Sequence, residues 1–141
     1  MEKVYTNTID WFRREINKSG LPEKYGIYFV YSCTYDSWKN TISLKKLLYI
    51  GKAEDQTIKD RVANHEKLND WKKYLKEWEV LCYACTERNI DISRNEAAYI
   101  RYHKPPVNIE YVDAFPFDTT TVKSDWKIWL IFSEFTVYRK D

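Results

Sequence analysis

The chain has 141 residues, of which 44% are hydrophobic and 31% are charged, a balance typical of a single globular domain and not of a disordered chain. Its net charge of +2 is too small to indicate a nucleic-acid partner, so a phosphate-attracting surface would need local clustering of basic residues. The three cysteines are an odd number, and no apolar run resembles a signal peptide or a membrane span. We therefore expect a reduced, cytoplasmic protein without a membrane partner.

An N-terminal helix over residues 7–19 is the first element that the chain predicts. Its apolar residues Ile9, Phe12 and Ile16 recur at the spacing of one helix face. Gly20 then supplies a stop signal. The pattern therefore indicates a helix that precedes the first strand.

Three strands are predicted over residues 26–34, 45–53 and 78–87, because each run is rich in β-branched and aromatic side chains. The polar stretch 35–44 between the first two strands is too long for a tight turn. It indicates an insertion at a strand connection, where additional length is tolerated.

Cys82 and Cys85 lie on the third predicted strand at the spacing of many metal-binding pairs. An odd offset along a strand places two side chains on opposite faces of the sheet. No second pair of cysteine or histidine residues follows at zinc spacing. We therefore assign no metal to these cysteines.

Helices are predicted over residues 57–68 and 93–104, with a second short helical segment over residues 69–76. In the last helix, Ser93 and Glu96 have the spacing of a capping box, in which the glutamate bonds to the first turn of its own helix. The same carboxylate is also a candidate ligand for a divalent cation. The two interpretations compete, because a glutamate that caps its own helix points away from the sheet.

The C-terminal part of the chain is predicted to be irregular over residues 109–125. Residues 126–139 are apolar enough to be buried, and their aromatic and β-branched content favours a strand. A helix that begins at Ser124 is the alternative. This part is the C-terminal extension of the expected domain.

The expected fold is therefore a single α+β domain over residues 1–141. It consists of a small, three-stranded, mainly antiparallel sheet flanked by helices, with an N-terminal helix and a C-terminal extension. Its core spans about residues 25–108, and residues 1–24 and 109–141 flank that core.

Two tyrosines, Tyr28 and Tyr49, lie beside glycines on the first two predicted strands. A phenol has a pKa near 10, so a tyrosine acts as a base for water only if positive charge lowers that pKa or a neighbour takes its proton. Lys52, near the end of the second strand, is a possible source of charge. Arg61 and His65 are four residues apart on the next predicted helix, at the border of the face that packs on the sheet.

The order of these residues along the chain resembles the GIY-YIG endonuclease family. The tripeptides at 26–28 and 49–51 read Gly-Ile-Tyr and Tyr-Ile-Gly. The positions that match the family are Tyr28, Tyr49, Arg61, His65, Glu96 and Asn108. The resemblance covers about residues 25–108, and Lys52 is similar to the lysine after the second tripeptide in the excision-repair branch. The two tyrosines are farther apart than in many members, and the difference falls in the 35–44 stretch.

The resemblance implies a metal-dependent endonuclease that hydrolyses DNA phosphodiester bonds with a tyrosine-rich site and one Mg²⁺ or Mn²⁺ ion. Glu96 would hold the metal, Arg61 would bind the charge of the phosphorane, and Asn108 would brace the site. A tyrosine would activate water, and we favour Tyr28 with His65 as its proton relay. The implied catalytic residues are Tyr28, Tyr49, Lys52, Arg61, His65, Glu96 and Asn108.

Contacts to DNA are expected from residues near the second tripeptide and from the basic residues of the last helix. The predicted nucleic-acid-binding residues are Gly51, Lys52, Arg94, Arg101 and Lys104. The alternative function is a catalytically inactive module of the same fold that binds nucleic acid or another protein. The sequence leaves open whether the protein is a monomer or a homodimer.

Overall fold

The structure, a computed structural model, describes residues 1–125 and 130–141, and the strands among these residues form two sheets. The strands are, in chain order, β1 (Lys3–Asn7), β2 (Asp10–Arg14), β3 (Gly26–Asp36), β4 (Thr41–Ala53), β5 (Val80–Glu87), β6 (Thr120–Ser124) and β7 (Glu134–Val137). The helices are α1 (Ile58–Ala63), α2 (Leu68–Lys72), α3 (Ile92–His103) and a 3-10 helix at Glu15–Gly20.

The expected three-stranded sheet flanked by helices is wrong, because the fold is richer in strands. A four-stranded antiparallel sheet has the order β2-β5-β3-β4, and a second sheet has the order β1-β6-β7. In the second sheet β1 is parallel to β6 and β7 is antiparallel to it. The three predicted strands are present as β3, β4 and β5. The chain segments on both sides of them supply the additional strands.

The predicted helix over residues 7–19 is also wrong, since its first half contains β2 and only its last residues are helical, in the 3-10 helix. Trp11 has a φ of 64°, in the left-handed region, which an α-helix does not accommodate. Asn7 is buried, and its side-chain amide exchanges hydrogen bonds of 3.1 and 2.9 Å with the amide of Asn95. Pairing of β1 with β6 and of β2 with β5 satisfies the backbone of this segment. These long-range contacts override the helical spacing of the apolar residues.

The polar stretch 35–44 is not an irregular insertion. Most of it lengthens the hairpin of β3 and β4, which pair in register from Gly26 to Asp36 with two irregularities. The turn is tight, because the Asp36 carboxylate accepts hydrogen bonds from the backbone N–H groups of Trp38 and Lys39. Side-chain capping of this kind replaces the longer loop that the polar composition indicated.

The predicted helix over residues 57–68 ends early, at Ala63. Asn64 leaves the helical conformation with φ −134° and ψ 58°, so His65 lies outside α1. Thr57 caps the helix, since its side chain accepts a hydrogen bond from the backbone N–H of Asp60. Arg61 and the histidine therefore do not share a helix face. They approach the same site because the chain turns after the helix.

Helix α3 begins without the predicted capping box. Asp91 precedes the first turn in a left-handed conformation, with φ 54°, and Ser93 lies inside the helix. The Ser93 hydroxyl accepts a hydrogen bond of 2.7 Å from Lys52. The capping interpretation of Glu96 is therefore wrong, and its carboxylate is available to the site.

Residues 109–119 are largely irregular, as predicted for the start of the C-terminal extension. The same prediction is wrong for residues 120–124, which form β6, and β7 follows. Ser124 is the last residue of β6 and does not begin a helix. The predicted strand over 126–139 is present only at β7, and its residues 126–129 lie outside the described part of the chain.

Both faces of the four-stranded sheet are buried. Alternate residues of β3 belong to different cores, so Phe29 and Tyr28 point in opposite directions. Helix α3 and the second sheet cover one face, and α1 with Trp71 covers the other. Cys82 and Cys85 face opposite cores, as their spacing predicts. Among the described helices, none is long and apolar enough to cross a membrane.

Candidate active site

A cavity of about 400 Å³ lies at the free edge of the four-stranded sheet, beside β4. Tyr28 and Tyr49 line it from the face of the sheet that α1 covers. Glu96 lines it from α3, which covers the other face. The predicted catalytic residues that line it are Tyr28, Tyr49, Lys52, Arg61, Glu96 and Asn108. The remaining one, His65, contacts Tyr28 directly. The edge of β4 is where residues from the two faces meet.

Gly51 allows the Tyr28 ring to reach this edge. The two residues are paired across β3 and β4, and a Cβ atom at position 51 would lie 2.3 Å from the Tyr28 hydroxyl oxygen. The phenol therefore occupies the space that any other side chain would fill. The glycine of the second tripeptide is a steric requirement for the tyrosine of the first.

The tautomer of His65 follows from its two hydrogen bonds. Its Nδ1 atom accepts a hydrogen bond of 3.0 Å from the backbone N–H of Lys67 and therefore carries no proton. Burial lowers the pKa of His65 to about 4, so the ring is neutral at pH 7 and its proton is on Nε2. That N–H donates to the Tyr28 hydroxyl oxygen over 2.6 Å. Since Nε2 is already protonated, it does not accept a proton from Tyr28.

The rings of Tyr28 and Tyr49 are neighbours, with centroids 6.3 Å apart. Burial raises the pKa of Tyr28 well above its usual value, and the nearby Tyr49 raises it further. Burial also raises the pKa of Tyr49, while the Arg61 guanidinium and a hydrogen bond from Tyr28 lower it. Tyr49 is therefore the tyrosine that ionises more readily, and its phenolate has a donor in Tyr28.

Arg61 is bound to a carboxylate that the sequence did not indicate. Its two terminal nitrogens donate to the two oxygens of Glu66, over 2.7 and 2.8 Å. This bidentate pair raises the pKa of Arg61 and holds the pKa of Glu66 down at about 2. The guanidinium is thus charged and oriented with the geometry that also suits a phosphate.

Glu96 is a buried carboxyl group without a bonding partner. It is 7% exposed, and no hydrogen bond or ion pair to it is formed by the residues that the structure describes. Burial raises its pKa to about 8, and the nearby Glu110 and Glu54 act in the same direction. A cation bound beside Glu96 would stabilise the charged form of this carboxyl group, because a nearby opposite charge favours ionisation.

Lys52 and Asn108 line the cavity and hold its edge in place through hydrogen bonds and an ion pair. The Lys52 ammonium donates to Ser93 and forms an ion pair of 2.9 Å with Glu54. Asn108 pairs with the backbone of Ile50, accepting from its N–H and donating to its carbonyl oxygen, both over 2.9 Å. It therefore fixes the free edge of β4 between the tyrosine and glycine of the second tripeptide.

The other predicted DNA-binding residues do not reach the cavity. Arg94 joins α3 to the second sheet, with hydrogen bonds to Thr120 and to backbone carbonyl oxygens that include that of Met1. Arg101 and Lys104 lie at the far end of α3, in a separate groove. Arg94 is thus engaged in holding the fold together.

Several residues that shape the cavity or bind its side chains could not be recognised from the sequence. They are Glu54, Glu66, Glu110 and Tyr111. The acidic residues carried no motif and are ordinary surface residues by composition. Only Tyr111 gave a signal, as an aromatic residue in an irregular polar segment, and its position could not be deduced without the fold.

No family model, curated protein or solved structure matches the chain. The site is therefore interpreted from its own geometry.

The buried, neutral His65 predicts a stability change in acid. Its folded-state pKa of about 4 lies below the ordinary value of 6.5, so the unfolded chain binds the proton more readily between these pH values. The free energy of unfolding of the wild type, relative to His65→Gln, is expected to fall by up to about 3 kcal/mol from pH 6.5 to pH 4. Urea unfolding across this range measures the difference. His103→Gln is the control, and the His65 contribution should persist in that background. Parallel pH profiles for wild type and His65→Gln would contradict the assignment.

Proposed function

We propose that the protein is a metal-dependent endonuclease of the GIY-YIG type that hydrolyses phosphodiester bonds of DNA in this cavity. The observation that carries the proposal is the convergence of two tyrosines, an arginine, a lysine and a buried, unpartnered carboxyl group on one confined space. Phosphoryl transfer needs mainly positioned charge and a base for water, and this set provides both.

The tyrosine pair supplies the base. Of the two tyrosines, Tyr49 is the better candidate to take the proton of the attacking water, because the positive charge of Arg61 and a hydrogen bond from Tyr28 offset part of the rise in pKa that burial causes. His65 supports Tyr28 by donating from Nε2, and the Lys67 backbone fixes the histidine in that tautomer. This arrangement favours Tyr49 over Tyr28 as the base and does not use His65 as a relay.

The basic side chains of Arg61 and Lys52 bind the phosphate. Arg61 exchanges the Glu66 carboxylate for phosphate oxygens and holds the negative charge that grows in the transition state. Lys52 lies at the rim as a second positive charge, and Asn108 keeps β4 in place beside the substrate.

A divalent ion fits the residues that are present. Glu96 would hold Mg²⁺ or Mn²⁺, since such ions are commonly bound by one or two carboxylates together with substrate oxygens. Among the described residues no cluster of three or more ligands occurs, so a site of few protein ligands is the relevant kind. When bound, the ion would polarise the scissile phosphate and would stabilise the leaving 3′ oxygen.

The test is nicking of supercoiled plasmid in the presence of Mg²⁺. Glu96→Gln is expected to lower the rate by about 10³-fold or more, because the carboxylate that would bind the ion is gone. Glu110→Gln is the matched control, since it removes a carboxylate from the exposed rim of the same cavity and should retain most of the activity. Equal rates for the wild type and Glu96→Gln would refute the catalytic proposal.

The alternative is a module that binds nucleic acid without cutting it. The pairing of Arg61 with Glu66 is the observation that favours it, because the phosphate-binding group is occupied by a carboxylate of the chain itself. Retention of DNA in a mobility-shift assay, with no product in Mg²⁺ or Mn²⁺, would support this function over the enzyme.

A further inference from the structure

A second groove, of about 360 Å³, lies between the C-terminal end of α3 and β7. Its lining is basic and aromatic, and none of the described residues that line it is acidic. The residues that give it this character are Arg101, Tyr102, Lys104, Tyr138, Arg139 and Lys140.

The groove carries uncompensated positive charge. Lys104 and Lys140 form no side-chain hydrogen bond or ion pair with the described part of the chain, and both are exposed. Arg101 donates to a backbone carbonyl oxygen, and Arg139 forms a surface ion pair with Asp118. Basic residues at a helix C-terminus balance the helix dipole. That reason accounts for Arg101 and Lys104 but not for the two cations beyond β7.

Two tyrosines in the groove present ring surface to solvent. Tyr138 is 67% exposed, and Tyr102 is partly exposed. The Tyr102 ring stacks on Phe135, with centroids 4.6 Å apart, and this packing holds the ring in its orientation. Supported, exposed aromatic rings among cations are the features with which proteins bind unpaired bases and the phosphates between them.

The groove is connected to the candidate active site through one chain segment. Glu110 and Tyr111 line the catalytic cavity, and Arg101 of the groove donates to the carbonyl oxygen of Val112 over 2.7 Å. The segment around residues 110–112 therefore borders both the cavity and the groove.

We propose that the groove binds a single-stranded DNA extension of the substrate. The inference rests on the proposed nuclease function, and it identifies the preferred substrate as a duplex with an unpaired tail. The groove would recognise such a tail by phosphate contacts to its lysines and by base stacking on its tyrosines.

Binding is measured by fluorescence anisotropy with Glu96→Gln protein in EDTA, on a blunt duplex and on the same duplex with an oligo-dT tail. In that background, Lys104→Gln/Lys140→Gln is expected to weaken binding of the tailed duplex about 20-fold at 0.1 M salt. The slope of log K against the logarithm of the salt concentration should become less negative by about 1.4. Tyr138→Ala should weaken it by about fivefold or more. Binding of the blunt duplex should stay unchanged.

The control is Lys24→Gln/Lys76→Gln, which removes two exposed lysines elsewhere on the surface. An equal loss with this control, or an equal loss on both duplexes, would overturn the groove proposal. The two proposals fail separately. Absence of cleavage by the wild type, with tail-dependent binding retained, would remove the nuclease and keep the groove. Cleavage by the wild type, with no effect of the tail on binding, would keep the nuclease and remove the groove proposal.

Discussion

Gly51→Ala is expected to lower the rate of DNA cleavage by about 10²-fold or more and to destabilise the fold by about 3 kcal/mol. The new methyl group would lie 2.3 Å from the Cζ atom and from the hydroxyl oxygen of the Tyr28 ring. That ring is buried and bonded to His65, so it moves only by breaking the hydrogen bond. Plasmid nicking in Mg²⁺ and urea unfolding measure the two effects.

Gly20→Ala is the matched control for this substitution. Its methyl group would meet the Nε atom of Arg13 at 2.9 Å, near the end of a flexible side chain that can move aside. The change should therefore alter stability by no more than about 0.5 kcal/mol and leave cleavage intact. Equal destabilisation by the two substitutions would show that the tyrosine ring is not held where the structure places it.

Tyr49→Phe is expected to reduce the cleavage rate by about 10³-fold, whereas Tyr28→Phe should reduce it by about tenfold. In the proposed mechanism, the first change removes the hydroxyl that accepts the proton of water. The second removes only the donor that stabilises the Tyr49 phenolate. Single-turnover rates on a defined DNA duplex measure both losses without interference from product release.

Tyr74→Phe serves as the control for these two variants, because Tyr74 does not line the cavity. Unfolding experiments should show that all three proteins remain folded. A larger loss for Tyr28→Phe than for Tyr49→Phe would reverse the assignment and make Tyr28 the base.

The central hairpin and its neighbouring strand could be predicted because local pattern and tertiary environment agree there. β3, β4 and β5 are rich in β-branched and aromatic residues and are paired with one another, so propensity and burial favour the same structure. The N-terminal segment could not be predicted, because its partners are distant in sequence. β1 pairs with β6, more than a hundred residues later, and no local pattern indicates such a contact.

The candidate site was predictable as a set of residue types and not as an arrangement. The order of the motif residues identified five of those that line the cavity, and Lys52 is a sixth. The position of His65 depends on the end of α1 at Ala63, which no glycine or proline marks. The partner of Arg61 lies beyond that helix end, so side-chain spacing on a regular helix could not identify Glu66.

The pairing of Arg61 with Glu66 has a consequence for how binding energy is used. Glu66 is a permanently attached competitor for the guanidinium, and any anion that binds there must displace it. A phosphodiester in its ground state carries one negative charge, as the carboxylate does, so the exchange gains little. The pentacovalent transition state carries more charge and displaces the carboxylate more favourably. In the proposed nuclease, the pair would therefore bind the substrate weakly and the transition state more strongly.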